Sequence, residues 1–164
     1  PFIWRYSEFV ADFKKTVSPD DLLHLSFKFI AGPPSRYVNT SPWMLESKLC
    51  GGCMTNLGVH FIDMALNLTD SAGAEILGAA YHNASKYDIE TYASALVRLA
   101  NGTTMELETG YAYPMDENAP RDNRWHIVLR AGYFTLAYNA IEKRRYGRAA
   151  ERMTMHTHSD VYYA

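Results

Sequence analysis

The feature that most restricts the fold is a hairpin signal at Asn101-Gly102, with alternating apolar and polar residues on both sides of it. Alternation over 91–99 and again over 105–108 predicts two strands that each bury one face. Asn and Gly both tolerate positive φ, so the pair predicts a two-residue turn between these strands. The chain is therefore expected to build part of its core on an antiparallel sheet.

Alternation elsewhere extends this sheet to about six strands. The residues expected to face the core from the first strand are Leu23, Leu25, Phe27 and Phe29. The remaining strands are predicted at 76–82, 125–129 and 133–138. The segment at 114–123 between two of them is predicted to be a polar loop.

Two helices are predicted from apolar residues at helical spacing. The first covers 5–17, where Phe9, Phe13 and Val17 recur every four residues, and the second covers 52–68 after a glycine pair. Helices and strands are segregated along the chain, so the fold class is α+β. We expect an open-faced, largely antiparallel (mixed) sheet with the helices packed on one face. The other face is expected to be solvated or covered by a second copy or another domain.

The composition fits one globular domain over 1–164. Hydrophobic residues make up 48% of the 164 and charged residues 21%, enough for a core without disulfides or a metal. A net charge of −2 argues against nucleic acid as the default partner, and the basic cluster at 143–148 is predicted to be a solvated face. No apolar run reaches the ~20 residues of a membrane span. Two cysteines suit a reducing, cytoplasmic setting. The chain does not begin with Met, so we expect a piece of a longer protein.

The second predicted helix has a narrow polar stripe. At about 100° per residue, Asn56, His60, Asp63 and Asn67 fall within about 60°, and most other positions are apolar. The stripe contains no Lys, Arg or Glu, the residues that usually cover solvated helix faces. It is therefore more typical of a cleft wall, with a plain solvated face as the alternative. In a cleft, His60 can exchange a proton near neutral pH, and Asn56 can orient the ring or hold a hydroxyl. Asp63 can hold another hydroxyl or favour the charged imidazole.

The segment from Cys50 to Asp63 resembles the signature of the Gfo/Idh/MocA oxidoreductases. That signature has small residues, mostly Gly, then apolar positions, then Asp or Asn and a Gly. A His follows four residues after the Asp or Asn, and an Asp three residues after the His. Here Asn56, Gly58 and His60 match these positions in turn, and Asp63 completes the motif. The hairpin strands and the 125–138 segment are also similar to the family, so the resemblance spans most of the chain.

The resemblance implies that the chain is the substrate-binding and catalytic half of an NAD(P)-dependent dehydrogenase or reductase. Family members join an N-terminal Rossmann domain, which binds NAD or NADP, to an α+β domain that binds substrate and mediates oligomerisation. The chain contains no G-x-G-x-x-G, so it would lack both the Rossmann domain and the family's catalytic Lys. We expect the isolated chain to be inactive and to hold no cofactor or metal. The implied partners are the Rossmann domain, a sugar or cyclitol substrate and further copies of the chain, with no nucleic acid or membrane.

The family also implies roles for individual residues. His60 matches the acid/base His that takes the hydroxyl proton as hydride leaves. Asn56 matches a position that is often Asp, and an amide cannot stabilise an imidazolium by charge as a carboxylate does. Asp63 matches a position that contacts substrate hydroxyls. The other residues expected to border the substrate site are Arg36, Tyr37, Trp43, Tyr111, Tyr113 and Arg121.

Three other interpretations stay open. Cys50 and Cys53 form a C-x-x-C at a predicted helix start, where the helix dipole lowers a thiol pKa, as a thiol oxidoreductase requires. With His156 and His158, the same cysteines could bind zinc. Finally, the domain could be a non-catalytic binding or oligomerisation module of the same fold.

Overall fold

A computed structural model describes residues 3–49, 51–114, 121–137 and 140–154 of the chain. The α-helices are α1 (Glu8–Thr16) and α2 (Val59–Leu68), and a π-helical segment, Met54–Gly58, leads directly into α2. The strands are β1 (Leu22–Ala31), β2 (Ala74–His82), β3 (Tyr92–Leu99), β4 (Thr104–Gly110), β5 (Arg121–Leu129), β6 (Gly132–Ala137), β7 (Ala140–Arg145) and β8 (Glu151–Thr154).

All eight strands form one sheet in the order β2-β3-β4-β1-β5-β6-β7-β8. β1 and β4 run parallel, and the other neighbouring pairs are antiparallel. The predicted α+β class with a largely antiparallel, mixed sheet is confirmed. Because β1 and β4 are parallel, their carboxyl ends lie at the same edge of the sheet, and the segments that follow both strands start there.

The core lies between the two helices and one face of the sheet. The α1 stripe predicted from the sequence is buried, with Phe13 only 2% exposed. Trp125 of β5 lies at the centre, 4.9 Å between ring centroids from Trp4 and 5.8 Å from Phe27. A second, smaller cluster lies beside the π-helical segment and contains Ala31, Leu45, Cys53, Ile89, Ala93 and Tyr111. Tyr37, Met54 and Leu57 pack against this second cluster.

The sheet has two more strands than the six predicted. β7 and β8 bury a single side chain, Ile141, so they lack the apolar alternation by which the other strands were predicted. The basic cluster at 143–148 lies partly on β7 and is paired with acids. Lys143 lies 3.5 Å from Glu151 of β8, and Arg144 lies 2.5 Å from Glu142.

Two predictions of local register were wrong. Leu23 is 42% exposed because the pairing of β1 with β5 shifts between Leu22 and His24, and Leu22 faces the core instead. The hairpin loop has three residues rather than two, since the Leu99 N–H donates to the Thr103 carbonyl at 2.8 Å. In this loop Gly102 alone has a positive φ, +90°, whereas the predicted two-residue turn needs two such residues.

The predicted helix boundaries and one loop also change. α1 begins at Glu8 rather than near residue 5, because the Ser7 side chain accepts the Val10 N–H at 3.3 Å and caps the helix. The helix predicted at 52–68 is α-helical only from Val59 onward. Arg121, predicted to lie in a loop, is the first residue of β5.

The face of the sheet opposite the helices carries no helix among the described residues. It exposes apolar side chains beside charged ones. Leu96 of β3 is 43% exposed, and Val128 and Tyr133, which pair with each other on β5 and β6, are 37% and 41% exposed. Across the described ranges, we find no helix with the length and apolar character needed to span a membrane.

Candidate functional site

The candidate site begins at the glycine pair that precedes the π-helical segment. A Cβ on Gly51 would lie 2.5 Å from the Met44 carbonyl oxygen, and a Cβ on Gly52 would collide with the Glu90 carboxylate. Gly52 also has a φ of +119°, which side chains rarely adopt. Glu90 accepts the Met54 N–H at 3.0 Å and so satisfies a donor at the start of the helical segment. The glycines therefore allow this segment to begin in close contact with the loop that precedes β3.

Asn56 lies in the π-helical segment and holds two tyrosines. Its amide nitrogen donates to the hydroxyls of Tyr37 and Tyr111, both at 2.9 Å, and the Tyr111 hydroxyl donates to the Gly52 carbonyl at 3.1 Å. Burial raises the pKa of Tyr111 above its usual value, so this hydroxyl stays protonated. Both amide hydrogens of Asn56 are used by the tyrosines, and its Oδ1 is the atom that can accept a hydrogen bond from a ligand.

The π-helical segment changes the geometry that a regular wheel predicts. The Val59 N–H bonds to the Met54 carbonyl, five residues back, so the turn that contains Asn56 is wider than an α-helical turn. The four polar residues therefore span two helical geometries, whereas the prediction placed them on one α-helix. Asn56 faces the tyrosines at the edge of the sheet, and the members of the stripe within α2 have other neighbours. Short π-helical segments occur often at functional sites.

His60 lies at the start of α2 and is partly buried. Burial lowers its pKa below the ordinary value near 6.5, while the charge of Asp63 acts in the opposite direction. The imidazole is therefore neutral at neutral pH. A neutral imidazole has one ring nitrogen that can accept a proton, which is what a general base requires.

Asp63 is buried and forms a bidentate ion pair with Arg5. The Arg5 Nε lies 2.6 Å from one carboxylate oxygen and Nη2 lies 2.5 Å from the other. This pair attaches the 3₁₀ turn Ile3–Tyr6 to α2, so in this structure Asp63 positions the helix that carries His60. The last residue of the stripe, Asn67, accepts a hydrogen bond from Lys14 of α1 at its carbonyl oxygen, at 2.8 Å.

Two arginines lie near the end of β1, and one of them contacts Tyr37. Arg36 donates to the Tyr37 hydroxyl, and its guanidinium carbon lies 4.6 Å from the centre of the Tyr37 ring. Arg121 is partly buried, with its guanidinium carbon 5.7 Å from the centre of the Phe29 ring. Burial lowers the pKa of Arg121, and the charge of Arg36 lowers it further. The two guanidinium groups carry like charges at the same end of β1.

The remaining predicted site residues are less closely associated. Trp43 is 46% exposed, and in the described part of the chain no ring contact or side-chain hydrogen bond joins it to the tyrosines. The Tyr113 N–H donates to the Ala31 carbonyl at 3.0 Å, beside the end of β1. Glu90 was missed by sequence reasoning, because a single carboxylate in an irregular segment has no pattern that marks it.

The thiol interpretation is contradicted at Cys53. Its side chain is fully buried, the thiol donates to the Thr109 carbonyl at 3.6 Å, and burial raises its pKa to about 11. A reactive cysteine needs a lowered pKa instead. Cys50, His156 and His158 lie outside the described residues, so the zinc interpretation is not tested. Within the described ranges, no group of three His, Cys, Asp or Glu side chains could hold a metal ion.

A cavity of about 460 Å³ lies beside the start of the π-helical segment, next to β2 and the segment that follows it. Its lining includes Ala79, Tyr81, Ile89 and Glu90, together with Met54. The lining includes neither the imidazole nor the amide and arginine side chains described above. We therefore identify the candidate site by its chemistry rather than by the volume of this cavity.

A family model described as the GFO/IDH/MocA C-terminal domain matches residues 21–135. Solved structures share the fold. UDP-N-acetylglucosamine 3-dehydrogenase GnnA from Acidithiobacillus ferrooxidans has a TM-score of 0.71 at 16% identity, over 98% of this chain and 47% of that one. Levoglucosan dehydrogenase in complex with NADH and levoglucosan has a TM-score of 0.74 at 15% identity, and the match covers 94% of this chain and 46% of that one.

An inositol dehydrogenase homolog complexed with NAD⁺ from Azotobacter vinelandii is also similar. Its TM-score is 0.72 at 10% identity, over 93% of this chain and 42% of that one. At these identities the likeness shows the fold alone. The chain spans less than half the length of each of these structures. No curated protein matches the chain.

Proposed function

The chain belongs to the GFO/IDH/MocA family of oxidoreductases, whose C-terminal domain it matches over 21–135, and from that membership we propose that it is the substrate-binding and catalytic half of an NAD(P)-dependent dehydrogenase. The proposed substrate is a sugar, sugar derivative or cyclitol. Two similar folds support this class, one named for levoglucosan with NADH and one for inositol with NAD⁺. Because the chain spans less than half of each of these structures, we assign the dinucleotide to another domain of the full protein.

One observation carries the proposal: a hydrogen-bonded group of hydroxyl and amide side chains lies just before a neutral, partly buried imidazole. The Tyr37 and Tyr111 hydroxyls converge on Asn56, which retains its Oδ1 as an acceptor. Side chains of this type bind the hydroxyl groups of polyols through hydrogen bonds. His60 follows within one helical turn along the chain, so it is the proposed acceptor of the hydroxyl proton.

The proposed reaction divides the atoms of an alcohol between the two domains. The nicotinamide supplies a hydride acceptor when it is bound. In this chain the imidazole of His60 takes the hydroxyl proton, and the carbon–oxygen bond becomes a carbonyl as the carbon–hydrogen bond breaks. Asn56, which is positioned by Tyr111, holds a neighbouring hydroxyl through its Oδ1, and the Arg5–Asp63 pair keeps α2 in place. A site built between two domains is open when one of them is considered alone, which fits a group of polar residues at a sheet edge.

The full-length protein provides the test. We expect His60→Ala to lower kcat for the oxidation of its polyol substrate on the order of 10²-fold or more, the usual scale for loss of a general base. His82→Ala is the matched control, because His82 is exposed at the end of β2 and takes no part in the proposed chemistry. Initial rates of NADH or NADPH formation with inositols and hexoses measure both variants.

Two results would contradict the proposal. An unchanged rate in correctly folded His60→Ala protein would reassign the imidazole to a structural role. A full-length protein that binds polyols but reduces neither NAD⁺ nor NADP⁺ with any of them would favour the non-catalytic binding module.

A further inference from the structure

We propose that this site takes a substrate with an anionic group, a carboxylate or a phosphate, that binds between Arg36 and Arg121. The inference rests on the proposed function and names the class of substrate within it: an acidic or phosphorylated sugar rather than a neutral polyol.

The topology brings the two arginines to one end of β1. Arg36 lies in the 3₁₀ turn Pro34–Tyr37, a few residues after β1 ends. Arg121 begins β5, which pairs with β1 so that Arg121 is opposite Ala31, the last residue of β1. The guanidinium groups therefore approach the same edge of the sheet from two different elements.

Aromatic rings support both guanidinium groups. Arg36 lies over Tyr37 and Arg121 lies over Phe29, and the Phe29 ring itself packs 5.7 Å from that of Phe61 in the core. A guanidinium that stacks on a ring loses little of its hydrogen-bonding capacity, because its N–H groups lie in its own plane and point outward. The pair is thus held in place with donors available to a planar carboxylate or a phosphate.

Within residues 3–49, 51–114, 121–137 and 140–154, the charges of these two arginines have no carboxylate partner. Among the described residues, no Asp or Glu lies within ion-pair distance of either guanidinium. Other cations differ: Arg5 is paired with Asp63, and the partly buried Lys28 lies 2.9 Å from Glu108. Of the two arginines Arg121 is partly buried and Arg36 is exposed. Burial of the Arg121 charge near a second cation is costly, and an anionic ligand offsets that cost.

Arg36 is also connected to the residues that are proposed to bind hydroxyls. The Tyr37 hydroxyl accepts hydrogen bonds from both Arg36 and Asn56. An anionic group between the arginines would therefore lie beside the hydroxyl-binding side chains. One ligand that carries both an acidic group and several hydroxyls could occupy both parts of the site.

Binding measurements on the full-length protein test the inference. The probes are D-glucose, D-glucuronate, D-glucose 6-phosphate and inorganic phosphate, titrated by calorimetry into the wild type and into Arg36→Gln and Arg121→Gln. Arg130→Gln is the matched control, because Arg130 is exposed just beyond the opposite end of β5. We expect at least one anionic sugar to bind the wild type about 10-fold or more tightly than glucose, the scale of a charge-assisted contact. Each site variant should lose most of that preference, and the control should keep it.

The outcomes separate the two proposals. A preference for glucuronate identifies a carboxylate, and a preference for glucose 6-phosphate or inorganic phosphate identifies a phosphate. Equal affinity for glucose and the anions, no binding of any anion, or an equal effect of all three arginine variants would overturn the inference. Oxidation of neutral polyols by the wild type as fast as that of the anionic sugars, with both rates unchanged in the two site variants, would overturn it while leaving the proposed function intact. Anion binding that depends on the two arginines, without any hydride transfer, would support the inference and contradict the proposed function.

Discussion

At the residue scale, three polar residues of the segment 54–68 have hydrogen-bond partners on other elements. Asn56 bonds to tyrosines that follow β1 and β4, Asp63 pairs with Arg5 before α1, and the Asn67 carbonyl accepts from Lys14 within α1. A purely solvated face would leave these groups to water. Asp63 is instead 7% exposed, which supports the cleft interpretation for the first part of the segment and a packing role for the rest.

The partial burial of His60 predicts a pH dependence of stability. Its folded-state pKa is lowered from the unfolded value of about 6.5, so below that pH the unfolded chain binds the proton first. The free energy of unfolding should therefore be fully present above about pH 6.5 and decrease as the pH falls through the range between the two pKa values. Urea unfolding at about pH 7.5 and about pH 5 measures this loss. His60→Asn should lose less stability than the wild type, and an equal loss in both would contradict the assignment.

At the element scale, the glycine pair and the π-helical segment decide where α2 begins. The segment starts in contact with the Met44 carbonyl and the Glu90 carboxylate, positions that only glycine can occupy. The wider turn then directs Asn56 to the tyrosines at the end of the parallel pair of strands. The regular helix that follows packs Phe61 and Met64 against the sheet. The π-helical segment thus positions the proposed binding residue Asn56, and the α-helix that follows packs against the sheet.

Replacing the second glycine tests this element. Gly52→Ala should destabilise the protein by about 1–3 kcal/mol, because a side chain is strained at positive φ and would displace Glu90. The matched control is Gly78→Ala in the exposed edge strand β2, where a Cβ meets open space, and its effect should stay within about 0.5 kcal/mol. Urea denaturation of the two variants measures the difference. Equal effects would show that the segment tolerates a different start.

At the scale of the whole molecule, an eight-stranded sheet with helices on one face leaves the other face open. In the described part of the chain, that face combines ion pairs such as Lys28–Glu108 with exposed apolar side chains such as Val128 and Tyr133. A large, partly apolar face suits an interface between copies of the same chain. We therefore propose that the full protein self-associates through this face.

A charge placed on the open face should weaken that association. Val128→Arg is expected to shift the full-length protein toward monomer in sedimentation velocity experiments, since an unpaired charge in an interface is costly. Leu49→Arg is the control, because Leu49 is 52% exposed in the segment before the glycine pair rather than on the sheet. The proposal fails if the wild type is already a monomer, or if both variants change the association equally.

The sequence by itself determined the features that depend on local periodicity. Alternation marked the strands that bury one face, helical spacing marked α1 and α2, and the spacing of Asn56, His60 and Asp63 indicated the family. β7 and β8 were not predicted, because these charged strands at one end of the sheet bury too little apolar surface to leave a pattern. The predicted and the missed strands have the same explanation, because the periodicity of apolar residues indicates only which side of an element is buried.

Only the tertiary structure decided which residues meet. Arg121 was assigned to a loop, and its position opposite Ala31 follows from the pairing of β5 with β1, about ninety residues apart in sequence. The Arg5–Asp63 pair and the contact of Glu90 with Gly52 likewise join segments that no local pattern connects. Register and packing between distant segments depend on the free energy of the whole fold, so the site as a set of neighbours exists only once the chain has folded.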